Sequence, residues 1–124
     1  MVQIIHKIAI VTDDVEAAVR FYTEKLGLAV VERFPSGDDA ADEDYVFLDA
    51  GGVILELMPA AAVEEPPGFH HISFLVEDID GAVQELDEKG VRILKKPFSP
   101  GVEGLRLAFF EGPGGLNLQL FERK

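Results

Sequence analysis

Two stretches of the chain, "IIHKIAIVTDD" at 4–14 and "FHHISFLVEDI" at 69–79, set a His-Lys or His-His pair ahead of an alternating apolar run that ends in acidic residues. Two more, "VILELM" at 53–58 and "LNLQLF" at 116–121, carry a polar residue at the fourth position of an apolar run, Glu56 in one and Gln119 in the other. Histidine, carboxylate and amide oxygen are donors for a divalent ion, and a carboxylate beside a cation can remove a proton next to a carbonyl. A bare carboxylate in an apolar strand is costly, so Glu56 reads as a ligand or a general base. The structural alternative is a pair between Lys7 and Glu56.

The elements that position these residues come from an internal repeat. A shift of 64 residues sets "KIAIVTDDVEAAV" (7–19) over "HISFLVEDIDGAV" (71–83), and a shift of 63 sets "VILELM" over "LNLQLF". Each copy predicts a strand, a helix and three strands. In the first, strands are expected at 4–11, 29–34, 45–49 and 53–58. In the second, they follow the 69–76 run at 91–95, 105–110 and 116–121. Asp13, with Glu16 three residues on, is the expected N-cap of the first helix, and Asp78 that of the second; Gly27 and Gly90 are placed to end them. The fold class is therefore α+β: two tandem βαβββ modules (1–58 and 69–124, joined by a linker at 59–68) forming a cupped, partly closed mixed sheet in one domain spanning 1–124.

Strand alternation then sorts side chains by face. If Ile8, Ile10, Ile72 and Phe74 pack beneath the helices, Lys7, Ala9, Val11, His71, Ser73 and Leu75 face the other way. Leu55, Leu57, Leu118 and Leu120 are core by the same rule, and Glu56 and Gln119 face the cavity. Lys7, Glu56, His71 and Gln119 thus fall at repeat-related positions on one surface. His6 and His70 face away from it and read as packed histidines. Arg33 and Arg106 read as surface residues, Phe21, Tyr22, Phe109 and Phe110 as mainly core, and "EGPGG" (111–115) as a strand-to-strand turn.

Composition narrows the function classes. The chain has 124 residues, 48% of them hydrophobic, with a net charge of −12 from 11 basic and 23 acidic residues. That balance opposes phosphate backbones and anionic membranes as partners, but leaves a small-molecule ligand open. No apolar run reaches the roughly 20 residues of a membrane span, and "MVQIIHKIAIV" has no signal-peptide flanks. The chain has no cysteine, which removes thiol chemistry and agrees with a cytoplasmic location. The run "GDDAADED" (37–44) is expected to be a solvated loop.

The repeat units, with "IAIVTDDVEAAVRFYTEKLGL", "ILELM", "HHISFLVEDIDGAVQELDEKGV" and "LRLAFFEGPGGLNLQLFE", resemble the vicinal oxygen chelate superfamily. It includes glyoxalase I, methylmalonyl-CoA epimerase, extradiol dioxygenases and bleomycin resistance proteins. The resemblance covers essentially the whole chain and implies a dimer. In glyoxalase- and epimerase-like members it also implies a divalent ion (Zn, Ni, Co or Mn) held by one ligand from each of four strands. Carried over by position, Glu56, His71 and Gln119 fill three slots, and Lys7, an ammonium that cannot coordinate, stands in the first. The implied activity is that of a lyase or isomerase on a small carbonyl or thioester substrate. Glu56 removes the proton, and a metal or Lys7 stabilises the enolate oxygen. The alternative is a metal-free small-molecule (antibiotic) binding protein of bleomycin-resistance type. Thiol transfer and ring cleavage by iron lack their usual ligand sets here.

Overall fold

A computed structural model describes residues 1–124. The chain forms two compact units, Lys7–His70 and the pair of segments Met1–His6 and His71–Lys124.

In the Lys7–His70 unit the strands are β1 (Val2–Thr12, from Lys7 onward), β2 (Ala29–Pro35), β3 (Asp44–Asp49) and β4 (Ile54–Pro59). β1 runs parallel to β4, while β3 is antiparallel to both β4 and β2. Between β1 and β2 lies α1 (Val15–Arg20), continued by a π-helical turn over Phe21–Lys25. The helix is capped by Asp14, not by Asp13 as the capping-box pattern suggested: Asp14 is extended, and its Oδ1 accepts the Ala17 N–H at 3.0 Å. The box fails because Glu16 turns outward to Arg33, taking both guanidinium nitrogens at 2.8 and 3.2 Å. Glu43, at the base of the acidic loop, accepts the Val15 N–H at 2.7 Å, satisfying another open amide of the first turn.

Val15 and Val19 of α1 bury against Val46, Leu48 and Leu57, with Ile10, Ala18, Tyr22 and Leu55 around them. The opposite face of the sheet packs Ala9, Val11 and Met58 against Tyr45, Ala60 and Val63. The last two belong to α2 (Ala60–Val63), a single helical turn within the segment expected to be a linker.

The second unit repeats the plan. Its strands are β5 (Gly68–Val76, from His71 onward), β6 (Ile93–Phe98), β7 (Leu105–Glu111) and β8 (Asn117–Arg123). β5 is parallel to β8, and β7 is antiparallel to both β8 and β6. α3 (Ile79–Glu88) is capped as expected by Asp78, whose Oδ1 accepts the Gly81 N–H at 3.2 Å, and Glu122 accepts the Ile79 N–H at 2.8 Å. Gly90 (φ 81°) closes the helix in the left-handed region, and the Val91 N–H bonds back to the Leu86 carbonyl at 3.0 Å. That closure uses up Val91, so β6 begins at Ile93 and not at 91. Val76, Ile79, Ala82, Ala108 and Leu120 form the core, with Phe74 and Phe110 packed on it. The fold class is the one expected, α+β with two βαβββ modules.

Candidate active site

In the Lys7–His70 unit, β1 and β4 are in parallel register with Lys7 beside Ile54 and Ala9 beside Glu56. Lys7 and Glu56 are therefore diagonal neighbours on the face away from α1, close enough for their side chains to meet. Lys7 Nζ donates to Glu56 Oε1 at 2.7 Å, with Lys7 2% and Glu56 7% exposed. The Phe47 ring, in register with Glu56 on β3, lies 5.6 Å from the ammonium, and Phe34 meets Phe47 edge-on at 5.0 Å. Burial draws the Lys7 ammonium below the ordinary lysine value of 10.5, while the charge of Glu56 and its hydrogen bond push the other way. Tyr45, two residues from Phe47 on the same face, has its phenol made less acidic by burial and then by the Glu56 charge.

The repeat-related surface of the second unit is the face of β5 and β8 away from α3. His71, Ser73 and Gln119 are 1%, 0% and 2% exposed, and Ser73 stands beside Gln119 in register. Phe109 on β7 lies opposite Gln119; its ring meets His71 edge-on at 5.7 Å and stacks on Phe98 at 6.2 Å. The Ser73 hydroxyl is buried and has no hydrogen-bond partner in the chain.

The structure thus joins Lys7 and Glu56 directly, and in the other unit sets His71 and Gln119 on one face. His6 sets its ring against that of Phe121 at 4.4 Å and a 37° tilt, a packing role, although against Phe121 and not beneath a helix. Arg33 and Arg106 are surface residues, each forked to an acid of the neighbouring helix (Glu16 and Asp80). Phe110 is core, whereas Phe109 belongs to the His71 face. Sequence reasoning did not single out Tyr45 and Phe47; the alternation in "DYVFLD" was the available signal.

The divalent ion implied by the family resemblance needs four donors. Lys7 is not one, and Glu56 already accepts a charged hydrogen bond from it. No three His, Cys, Asp or Glu side chains are grouped where they could hold a metal. The residues present do not fit a resident four-donor ion.

Residues 4–120 match the glyoxalase/bleomycin resistance protein/dioxygenase superfamily, and the chain belongs to it. An uncharacterised Bacillus subtilis protein, YwkD, is 33% identical over 128 residues, covering 96% of each chain. Human mitochondrial methylmalonyl-CoA epimerase is 28% identical over 128 residues, covering 94% of this chain and 72% of that protein. The crystal structure of methylmalonyl-CoA epimerase from Mycobacterium tuberculosis superposes with a TM-score of 0.80 at 22% identity, covering 99% of this chain and 89% of that one, which is a likeness of fold.

Proposed function

We propose that the protein is a lyase or isomerase of the glyoxalase and epimerase type, acting on a small carbonyl or thioester substrate by removing a proton next to the carbonyl. The observation that carries this is the buried Lys7–Glu56 contact at 2.7 Å, a carboxylate and an ammonium held together in an apolar wall. Glu56 takes the proton. The Lys7 ammonium then stands beside the oxygen on which enolate charge develops, so charge stabilisation comes from the chain itself. Likeness to epimerases over nearly the whole chain supports the reaction class. Both modules, 1–58 and 69–124 with 59–68 between them, act as one domain in this reading.

The test is deuterium exchange at the α-carbon of methylmalonyl-CoA, and isomerisation of the hemithioacetal of methylglyoxal and a thiol. Exchange or turnover that disappears in Glu56→Gln supports the proposal; a wild-type protein inert on both substrates sinks it. Metal content decides the role of Lys7. The native protein is expected to purify without a stoichiometric divalent ion and Lys7→His to gain one; stoichiometric metal in the native protein defeats the ammonium role.

A second reading, a metal-free small-molecule binding protein of bleomycin-resistance type, is favoured by one feature: the Glu56 carboxylate is already engaged by Lys7. Tight binding of a small molecule without exchange or turnover would select it. Either reading extends to a cytoplasmic protein, and to a homodimer because Met1, Val2, Ile4 and Ile5 leave roughly half of their surface open (47%, 47%, 50% and 49%). Sedimentation giving a monomer at micromolar concentration would reject the dimer.

A further inference from the structure

The serine on β5 has no structural reason to be a serine. Its side chain is fully buried, and its hydroxyl finds no partner in the chain. An unmade hydrogen bond of this kind costs free energy that alanine would avoid. The repeat shows that the strand position accepts alanine: Ala9 occupies it in the other copy and is also 0% exposed. The hydroxyl is thus a local defect that the fold does not require.

The surroundings of Ser73 supply a reason. Gln119 is its register neighbour on β8, and His71 is two residues away on the same face. Beside them Phe109 and Phe98 stack into an aromatic wall carried by β7 and β6. A hydroxyl donor next to an amide suits an oxygen acceptor, and the wall suits a flat or apolar body. We propose that Ser73 is a substrate-binding residue: its hydroxyl donates to a carbonyl or carboxylate oxygen of a small substrate whose flat or apolar part lies on Phe109 and Phe98. Because the hydroxyl is covered in the free chain, binding moves the side chains above it and exchanges an unmade hydrogen bond for a made one. The inference rests on the carbonyl-substrate reading above, from which it takes the oxygen acceptor.

The experiment has a stability arm that needs no ligand and a binding arm that uses methylmalonyl-CoA and the hemithioacetal as probes. Ser73→Ala is expected to melt at or above the wild-type temperature, to bind the recognised probe about tenfold more weakly, and to raise KM with kcat nearly unchanged. Ala9→Ser, the mirror substitution, is expected to melt lower. A Ser73→Ala protein that melts lower than wild type shows a structurally partnered hydroxyl and overturns the inference, whether or not a probe binds. One that melts higher yet binds as tightly as wild type overturns it as well. A wild-type protein that binds neither probe overturns this inference together with the function reading, whereas the two preceding outcomes overturn this inference alone.

Discussion

The two units carry one plan with different polar chemistry. At matching places the first has Lys7, Ala9 and Glu56, and the second His71, Ser73 and Gln119. The first set contains opposite full charges that meet at 2.7 Å and so satisfies itself electrostatically. The second pairs a neutral amide with a histidine and a serine whose hydroxyl is left over. Duplication preserves the apolar side of each strand, because Leu57 and Leu120 both have to seat a helix. The other side is free to diverge. One copy carries a pair of opposite full charges there, and the other an imidazole, a hydroxyl and an amide.

The comparison breaks most visibly if the charged pair is cut. Lys7→Met leaves Glu56 buried without its cation and is expected to destabilise the fold by about 3–5 kcal/mol, while the double variant Lys7→Met/Glu56→Leu should recover most of that. Chemical denaturation checks both, and a Lys7→Met protein of wild-type stability would mean that the pair holds nothing. In the second unit, Gln119→Leu should cost clearly less by the same measurement, since an amide carries no charge.

Next in size are the helix starts. Glu122→Gln keeps the shape but weakens a buried, charge-assisted bond to the Ile79 N–H, so a loss of about 1–2 kcal/mol is expected. Glu43→Gln, acting on the partly buried Val15 N–H, should lose less. An equal loss in the two would show that burial does not set the strength of these bonds.

A pH profile sharpens the charged copy. Lys7 releases its proton below the ordinary 10.5, because burial disfavours the ammonium. Activity that depends on the ammonium is present below that lowered value and is lost as pH rises through it. Lys7→Arg should move the alkaline limb upward, and an unmoved limb would separate Lys7 from catalysis. The smallest effect belongs to the two exposed forks. The carboxyls of Glu16 and Asp80 are held below their ordinary values by hydrogen bonds from Arg33 and Arg106. Their contribution is therefore present above the ordinary carboxylate range and is lost as pH falls through the lowered values. Solvent screening keeps it slight. Glu16→Gln and Asp80→Asn should barely alter melting at neutral pH, and a large drop would contradict their exposure.

Much of this was legible in the sequence because the repeat and the two-residue period of strands are both local signals. They placed Leu55, Leu57 and Leu120 on the helix side and Lys7 with Glu56 on the other. The Asp78 cap and the Gly27 and Gly90 stops followed from single residues with a strong backbone preference. What was missed depends on partners distant in sequence. Asp13 was favoured as the cap because Glu16 completes a box with it, but Arg33, 17 residues on, claims Glu16. The turn of helix at 60–63 packs on Ala9 and Val11, which no local pattern in "PAAAVEEPPG" announces. Ser73 was assigned its face, but only the packing leaves its hydroxyl without a partner.

The acidic run "GDDAADED" has a consequence of its own. Its tip holds itself: Asp39 and Asp42 accept backbone amides only within the run, at 2.9 and 3.4 Å. Its one glutamate is different, because Glu43 is an anchor that ties β3 to the first turn of α1. The loop is therefore a segment that can be shortened, lengthened or replaced by a tag from Asp38 to Ala41, but not cut back through its root. An insertion at the tip should leave the molecule intact, whereas moving Glu43 by one place would loosen the start of α1, the helix that seats Val15 and Val19 in the core.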